Sequence, residues 1–91
     1  MKLLASYDIA DDGRRERVVK ILLDYGQRVQ ESVFWLEAEE EFLERMRERL
    51  AKAIDAKADS LWLVFVCEAC VRKLETYGVQ AVPVQPECYV V

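Results

Sequence analysis

Apolar residues come along this chain in two rhythms, and the changes between them mark out its elements. Residues 2–8 alternate as a strand does, with Leu4, Ser6 and Asp8 on one side and Leu3, Ala5 and Tyr7 on the other. From 11 to 25 the spacing lengthens to that of a helix, with Val18, Ile21, Leu22 and Tyr25 in one stripe. Asp11 or Asp12 is placed to cap its first turn, and Tyr25-Gly26 is its stop, Gly26 suiting a left-handed helix terminus. Residues 28–36 return to a strand, with Arg28, Gln30, Ser32 and Phe34 on one side and Val29, Glu31, Val33 and Trp35 on the other. Polar residues recur on both sides, which predicts either a binding surface or the solvated face of an antiparallel sheet.

A second helix is predicted from Glu39 to Ile54, its stripe made by Phe42, Leu43, Met46, Leu50, Ala53 and Ile54. Its acids come early and its bases late, as the helix dipole prefers, and Glu41–Arg45 and Glu48–Lys52 are spaced for ion pairs. This helix reads as structural. Leu61 to Val66, six apolar residues in a row, predict a central strand buried on both faces or covered by a second subunit. A short helix follows to about Thr76, ending at Tyr77-Gly78. Residues 79–84 suggest an edge strand, because Pro83 cannot donate to a ladder. The apolar end, Cys88 to Val91, suits the edge of a neighbouring sheet.

This order points to an α+β sandwich with two helices on one sheet face. A ferredoxin-like plan needs two strands between the long helices, so residues 28–36 either bend into two pieces or depart from that plan. At 91 residues the chain is expected to form one domain, residues 1–91, with a modest core that dimerisation would enlarge. No apolar run approaches the ~20 residues that span a bilayer, so no membrane association is expected. Three cysteines, an odd number, and no secretory signal at the N-terminus argue for a reducing cytoplasm.

Charge sharpens the picture locally. The net charge of −4 does not announce a nucleic-acid binder, yet Arg14, Arg15, Arg17, Lys20 and Arg28 outnumber Glu16 and Asp24 across residues 13–30. Arginines at a helix start oppose the dipole, which invites a functional reading. An acid at a strand end, Asp8, beside several arginines suggests a divalent cation and a phosphate. The alternative for Asp8 is a capping or interface carboxylate; Asp11 and Asp12 read mostly as caps. Cys67-Glu68-Ala69-Cys70 reads as small buried thiols in a first helical turn, with zinc shared between two subunits as the alternative, since the chain has only Cys88 besides and no histidine. A redox role would need thiolate-activating surroundings, which Glu68 does not supply.

Three blocks stand in order: Ser6-Tyr7-Asp8-Ile9; Asp11-Asp12 with Arg14-Arg15-Glu16-Arg17-Val18; and the run from Leu22 through Arg28-Val29-Gln30-Glu31-Ser32-Val33-Phe34. Together they closely resemble the CRISPR-associated Cas2 family, the small subunit of the CRISPR adaptation complex, often called an endoribonuclease. The resemblance covers nearly the whole chain, including Asp59-Ser60 and the strand leading to Cys67 and Cys70. It implies a ferredoxin-like fold, a homodimer, and a C-terminal strand that augments the partner's sheet. It also implies phosphodiester hydrolysis with Mg²⁺ or Mn²⁺, on single-stranded RNA or on double-stranded DNA, with antiviral defence and spacer acquisition as the setting. The family's metal ligand matches Asp8, once from each subunit, and residues affecting cleavage match Tyr7, Arg15, Arg17, Arg28 and Phe34; Ser32 matches a position near the metal. Phosphate contacts are expected from Arg14, Arg15, Arg17, Lys20 and Arg28. The other activity implied is a non-catalytic scaffold, a dimer bridging the CRISPR integrase and holding prespacer duplex DNA.

Overall fold

The computed structural model describes residues 1–75 and Tyr77. Its elements run β1 (Lys2–Asp8), α1 (Asp12–Leu23), β2 (Gly26–Gln30), β3 (Val33–Glu37), α2 (Glu40–Ala53), β4 (Ser60–Val66) and α3 (Glu68–Arg72). The strands form one antiparallel sheet in the order β2-β3-β1-β4, the ferredoxin-like arrangement. The predicted strand over 79–84 and the tail at Cys88–Val91 lie outside the described residues. The last helix stops at Arg72, short of its predicted end, where the Lys73 N–H donates to the Cys70 carbonyl and the Leu74 N–H to that of Val71, each at 3.1 Å.

The run 28–36 is two strands. Glu31 and Ser32 form the turn, β2 pairs with β3 through Arg28↔Phe34, and a bulge shifts the register so that Gln30 meets Val33. The polar residues on both sides of that run are therefore explained by a turn and a bulge. Gly26 is not a left-handed terminator. Helix α1 ends at Leu23 with Asp24 in right-handed geometry, the Asp24 N–H donating to the Ile21 carbonyl at 3.1 Å and the Tyr25 N–H to that of Leu22 at 3.0 Å. Gly26 begins β2 opposite Leu36, where a β-carbon would meet the Trp35 carbonyl oxygen at 1.9 Å. Only glycine admits so close an approach of two backbones.

The core lies between the sheet and the two long helices. Leu3 and Ala5 of β1 and Phe34 and Leu36 of β3 meet Val18 and Leu22 of α1 and Leu43, Met46 and Leu50 of α2, all buried. Side chains of this size stabilise the fold by about 1.5–3 kcal/mol each when fully buried. Phe42, expected in the α2 stripe, stands 46% exposed. Leu43, Met46, Leu50 and Ala53 already form an unbroken buried row, and Phe42 falls on its flank. The α2 ion pair that forms joins Glu44 to Arg47 at 2.9 Å, rather than either predicted pair.

Among the described residues β4 stands at the edge of the sheet, paired with β1, rather than at its centre. Leu61 and Leu63 pack inward against the core, while Trp62 is 69% and Val64 54% exposed on the opposite face. Among the described residues that second face is covered at one end. There Val71 of α3 packs with Val29 and Trp35, alongside Leu4, Val33 and Val66.

Candidate nucleic-acid and metal site

The site grows from the end of β1. Asp8, the last residue of the strand, is exposed and pairs across the ladder with Ser60. Just before it, Tyr7 ties down the β2–β3 turn twice: its backbone N–H donates to the Ser32 carbonyl at 3.2 Å, and its hydroxyl donates to the Glu31 carbonyl at 3.1 Å. The Tyr7 ring lies 6.2 Å from that of Phe34, which is fully buried and carries the Arg28 guanidinium over its face at 5.3 Å. Phe34 therefore acts as a floor, positioning Arg28 and Tyr7 from below.

On the other side, Asp11 caps α1 by accepting from the Arg14 N–H at 2.8 Å. The helix turns its arginines in different directions, because residues two apart point some 200° apart around the axis. Arg15 folds back over the preceding loop, donating to the carbonyls of Ile9 at 3.0 Å and Ala10 at 3.3 Å and pairing with Asp12. Arg14 reaches away to Asp59 in a two-pronged pair, Nε to Oδ2 at 2.7 Å and Nη2 to Oδ1 at 3.1 Å. The Asp59 side chain is only 1% exposed and also accepts from the Asp55 N–H at 2.8 Å. The hydrogen-bonded Arg14 guanidinium, then the Asp55 N–H, hold the Asp59 carboxyl below its usual range. Arg14 is thus committed to joining α1 to the start of β4.

Between these walls opens a cleft of about 730 Å³ lined by Asp8, Tyr7, Arg15, Lys20, Arg28 and Ser32, and also by the acids Glu16 and Glu31. Six of the predicted site residues meet there. Phe34 supports the cleft from the core without lining it. Arg14 and Arg17 lie elsewhere, Arg17 in a shallow groove between α1 and α2 with Lys20, Arg49 and Lys52. Arg49 is held there by Asp24 at 2.9 Å and by the Tyr25 hydroxyl at 3.4 Å. Sequence reasoning passed over Glu16, Glu31 and Asp59. Glu16 follows from helical spacing once Arg15 is placed, but Asp59 meets Arg14 across 45 residues, a distance no local pattern carries.

As to the metal, Asp8 makes no hydrogen bond or ion pair among the described residues, and no cluster of three or more carboxylates or thiols gathers to cage a cation there. Magnesium needs no such cage: one or two carboxylates with waters and substrate phosphates suffice, so Asp8 with open space around it fits. Cys67 and Cys70, expected as buried thiols, are both exposed at the far end of β4.

A small ferredoxin-like α+β protein with a strand-end acid, unpaired among the described residues, beside a cation-bearing helix start is what this fold and site define. The sequence profile described as CRISPR associated protein Cas2 matches residues 1–74, and the chain belongs to that family. It is 39% identical over 79 residues to the "CRISPR-associated endoribonuclease Cas2 1" of Chloroflexus aurantiacus, covering 86% of this chain and 85% of that one. A crystal structure of Streptococcus pyogenes Cas2 superposes with a TM-score of 0.74 at 35% identity, over 86% of this chain and all of that one. A hypothetical protein of known structure from Thermus thermophilus gives 0.81 at 35% identity, over 91% and 96%. Among the described residues no helix is long and apolar enough to cross a membrane.

Proposed function

We propose that this chain is one half of a homodimeric, divalent-metal-dependent nuclease that hydrolyses phosphodiester bonds in CRISPR-associated defence. The observation that carries the reading is the placement of Asp8, free of partners among the described residues, in the lining of a cleft that also presents Arg15, Lys20 and Arg28. The endoribonuclease name of the Chloroflexus relative points the same way.

Two Asp8 side chains, one from each subunit, would hold Mg²⁺ or Mn²⁺. When bound, the ion supplies positive charge to the scissile phosphate and lowers the pKa of water. The chain's own residues do the rest. Arg28, set by the Phe34 ring, and Arg15, set by the Ile9 carbonyl, orient phosphate oxygens as charge-assisted donors. Tyr7 fixes the turn that carries Ser32 at the cleft wall. The sequence contains no histidine, so an imidazole base takes no part. Dimerisation is supported by the open sheet face: Trp62, Val64 and Asp8 share it by strand alternation, so face-to-face packing would bury the apolar residues and bring two Asp8 carboxylates together.

A second reading, the non-catalytic scaffold that binds duplex DNA and bridges an integrase, draws on the α1–α2 groove. Arg17, Lys20 and Lys52 line it without an ion pair among the described residues. Such a row serves sequence-independent phosphate binding away from Asp8.

The deciding experiment compares the unsubstituted chain with Asp8→Ala on labelled single-stranded RNA and duplex DNA, each with Mg²⁺, Mn²⁺ or EDTA. Metal-dependent cutting lost in the variant is expected, and names the preferred polymer. Equal cutting by both proteins overturns the Asp8 assignment. A folded dimer that binds duplex DNA without cutting it favours the scaffold.

A further inference from the structure

Cys67 and Cys70 take no part in the Asp8 cleft. They follow β4, at the end of the β1–β4 ladder where Lys2 pairs with Val66, whereas Asp8 and Ser60 close the opposite end. Both thiols are exposed, and their sulfurs are hydrogen-bonded at 3.5 Å. We infer that Cys67 and Cys70 form a reversible dithiol–disulfide site for small-molecule disulfides, with Cys67 as the attacking sulfur.

Disulfide sulfurs lie about 2 Å apart, so closure needs an approach of about 1.5 Å, within reach of side-chain torsions where the turn already brings the thiols together. Access distinguishes the two sulfurs. A cleft of about 410 Å³ opens on Cys67 and not on Cys70, lined also by Lys2, Phe65 and Glu68. The Lys2 ammonium at its wall is paired with Glu68 at 3.3 Å and Glu37 lines the same cleft, so the opening gives access to Cys67 without selecting a charged co-substrate. Ionisation follows the same division. The Cys70 backbone N–H, then its thiol, push the Cys67 thiol down, while the neighbouring Cys67 sulfur pushes Cys70 up. The thiolate is the nucleophile, so Cys67 reacts first.

In the first step the Cys67 thiolate attacks one sulfur of the disulfide RS–SR, forming Cys67–S–SR and expelling RS⁻. Cys70 then gives its proton to solvent and attacks the Cys67 sulfur, breaking the bond to the second RS⁻. The protein dithiol loses two electrons and two protons, and the co-substrate is reduced to two thiols. A structural zinc would need four ligands, and no third cysteine or carboxylate joins the pair among the described residues.

The test uses the full-length chain carrying Cys88→Ser, reduced, then exposed to glutathione disulfide, quenched in acid, alkylated with a maleimide and mapped by mass. Expected is loss of both alkylatable thiols, a monomer lighter by two hydrogens, a Cys67–Cys70 cross-linked peptide, and full reversal by dithiothreitol. Adding Cys70→Ser leaves a stable glutathione adduct on Cys67. Adding Cys67→Ser instead leaves Cys70 several-fold slower to react. The same mapping on the unsubstituted chain, reading the Cys88 peptide separately, covers any folding defect of the Cys88 variant. Retention of both thiols overturns the inference, as do separate glutathione adducts on both sulfurs without closure, cross-links between chains, or a purified protein whose thiols react only after zinc is chelated.

Discussion

On the helical side of the sheet Leu3, Ala5, Phe34 and Leu36 are sealed under α1 and α2, whereas on the other side Trp62 and Val64 stand open to solvent. Within β4 alone, Leu61 and Leu63 pack toward the closed side and alternate with Trp62 and Val64, so strand propensity does not separate the two faces. What differs is cover. Two long helices suffice for one face, while among the described residues the five of α3 shield the end of the other, around Leu4, Trp35 and Val66. The closed face carries the stability. The open face carries Asp8 and an apolar surface that suits a partner.

The strongest way to break this contrast is at Phe34. Phe34→Ala is expected to cost about 3–5 kcal/mol, read by chemical denaturation, because it opens a cavity under Arg28 and beside Tyr7. An acid titration sharpens it next. The Asp59 carboxyl titrates below its usual value in the fold, so its contribution is complete above the unfolded value of about 4 and is lost as pH falls through the lower folded value. Thermal unfolding from neutral to strongly acid pH is expected to show Asp59→Asn less stable than the parent at neutrality, with the gap closing at the acid end. On the open face, Trp62→Lys is expected to change monomer stability by no more than about 0.5 kcal/mol, yet to halve the mass measured by light scattering. An unchanged mass would assign that face no role in self-association. Smallest of all, Arg17→Ala is expected to leave folding untouched while weakening duplex binding and lowering its salt dependence by about one phosphate contact.

The sequence displayed the closed face well and the open face poorly. Val18, Ile21, Leu22, Leu43, Met46 and Leu50 recur at helical spacing because they answer to one neighbour, the sheet, and each is buried. The run Leu61 to Val66 left two readings open, a strand buried on both faces or one covered by a second subunit, because both kinds of strand carry the same letters; the exposure of Trp62 and Val64 speaks against the first. Gly26 misled for a related reason: glycine at a helix end and glycine under a neighbouring backbone look alike until the strand pairing is known. In the site, Asp8 and Arg15 were legible from a strand ending next to a helix start. The separation of Arg14, Arg15 and Arg17 was not, since it depends on helical phase and on Asp59, far along the chain.

The position of β1 in the sheet also bears on the order in which the chain folds. The first of the four described strands is an inner one, flanked by β3 and by β4, with Lys2 opposite Val66. During synthesis, then, β1 emerges before both of its neighbours, and its second edge is filled by β4, nearly the last described element. The β2–β3 hairpin is local and forms on its own timescale, while β4 must close the longest loop in the sheet. Substitutions of Leu61 and Leu63 should therefore speed unfolding more than they slow folding, the reverse of substitutions in the hairpin; equal effects on the folding rate would put β4 in the nucleus instead.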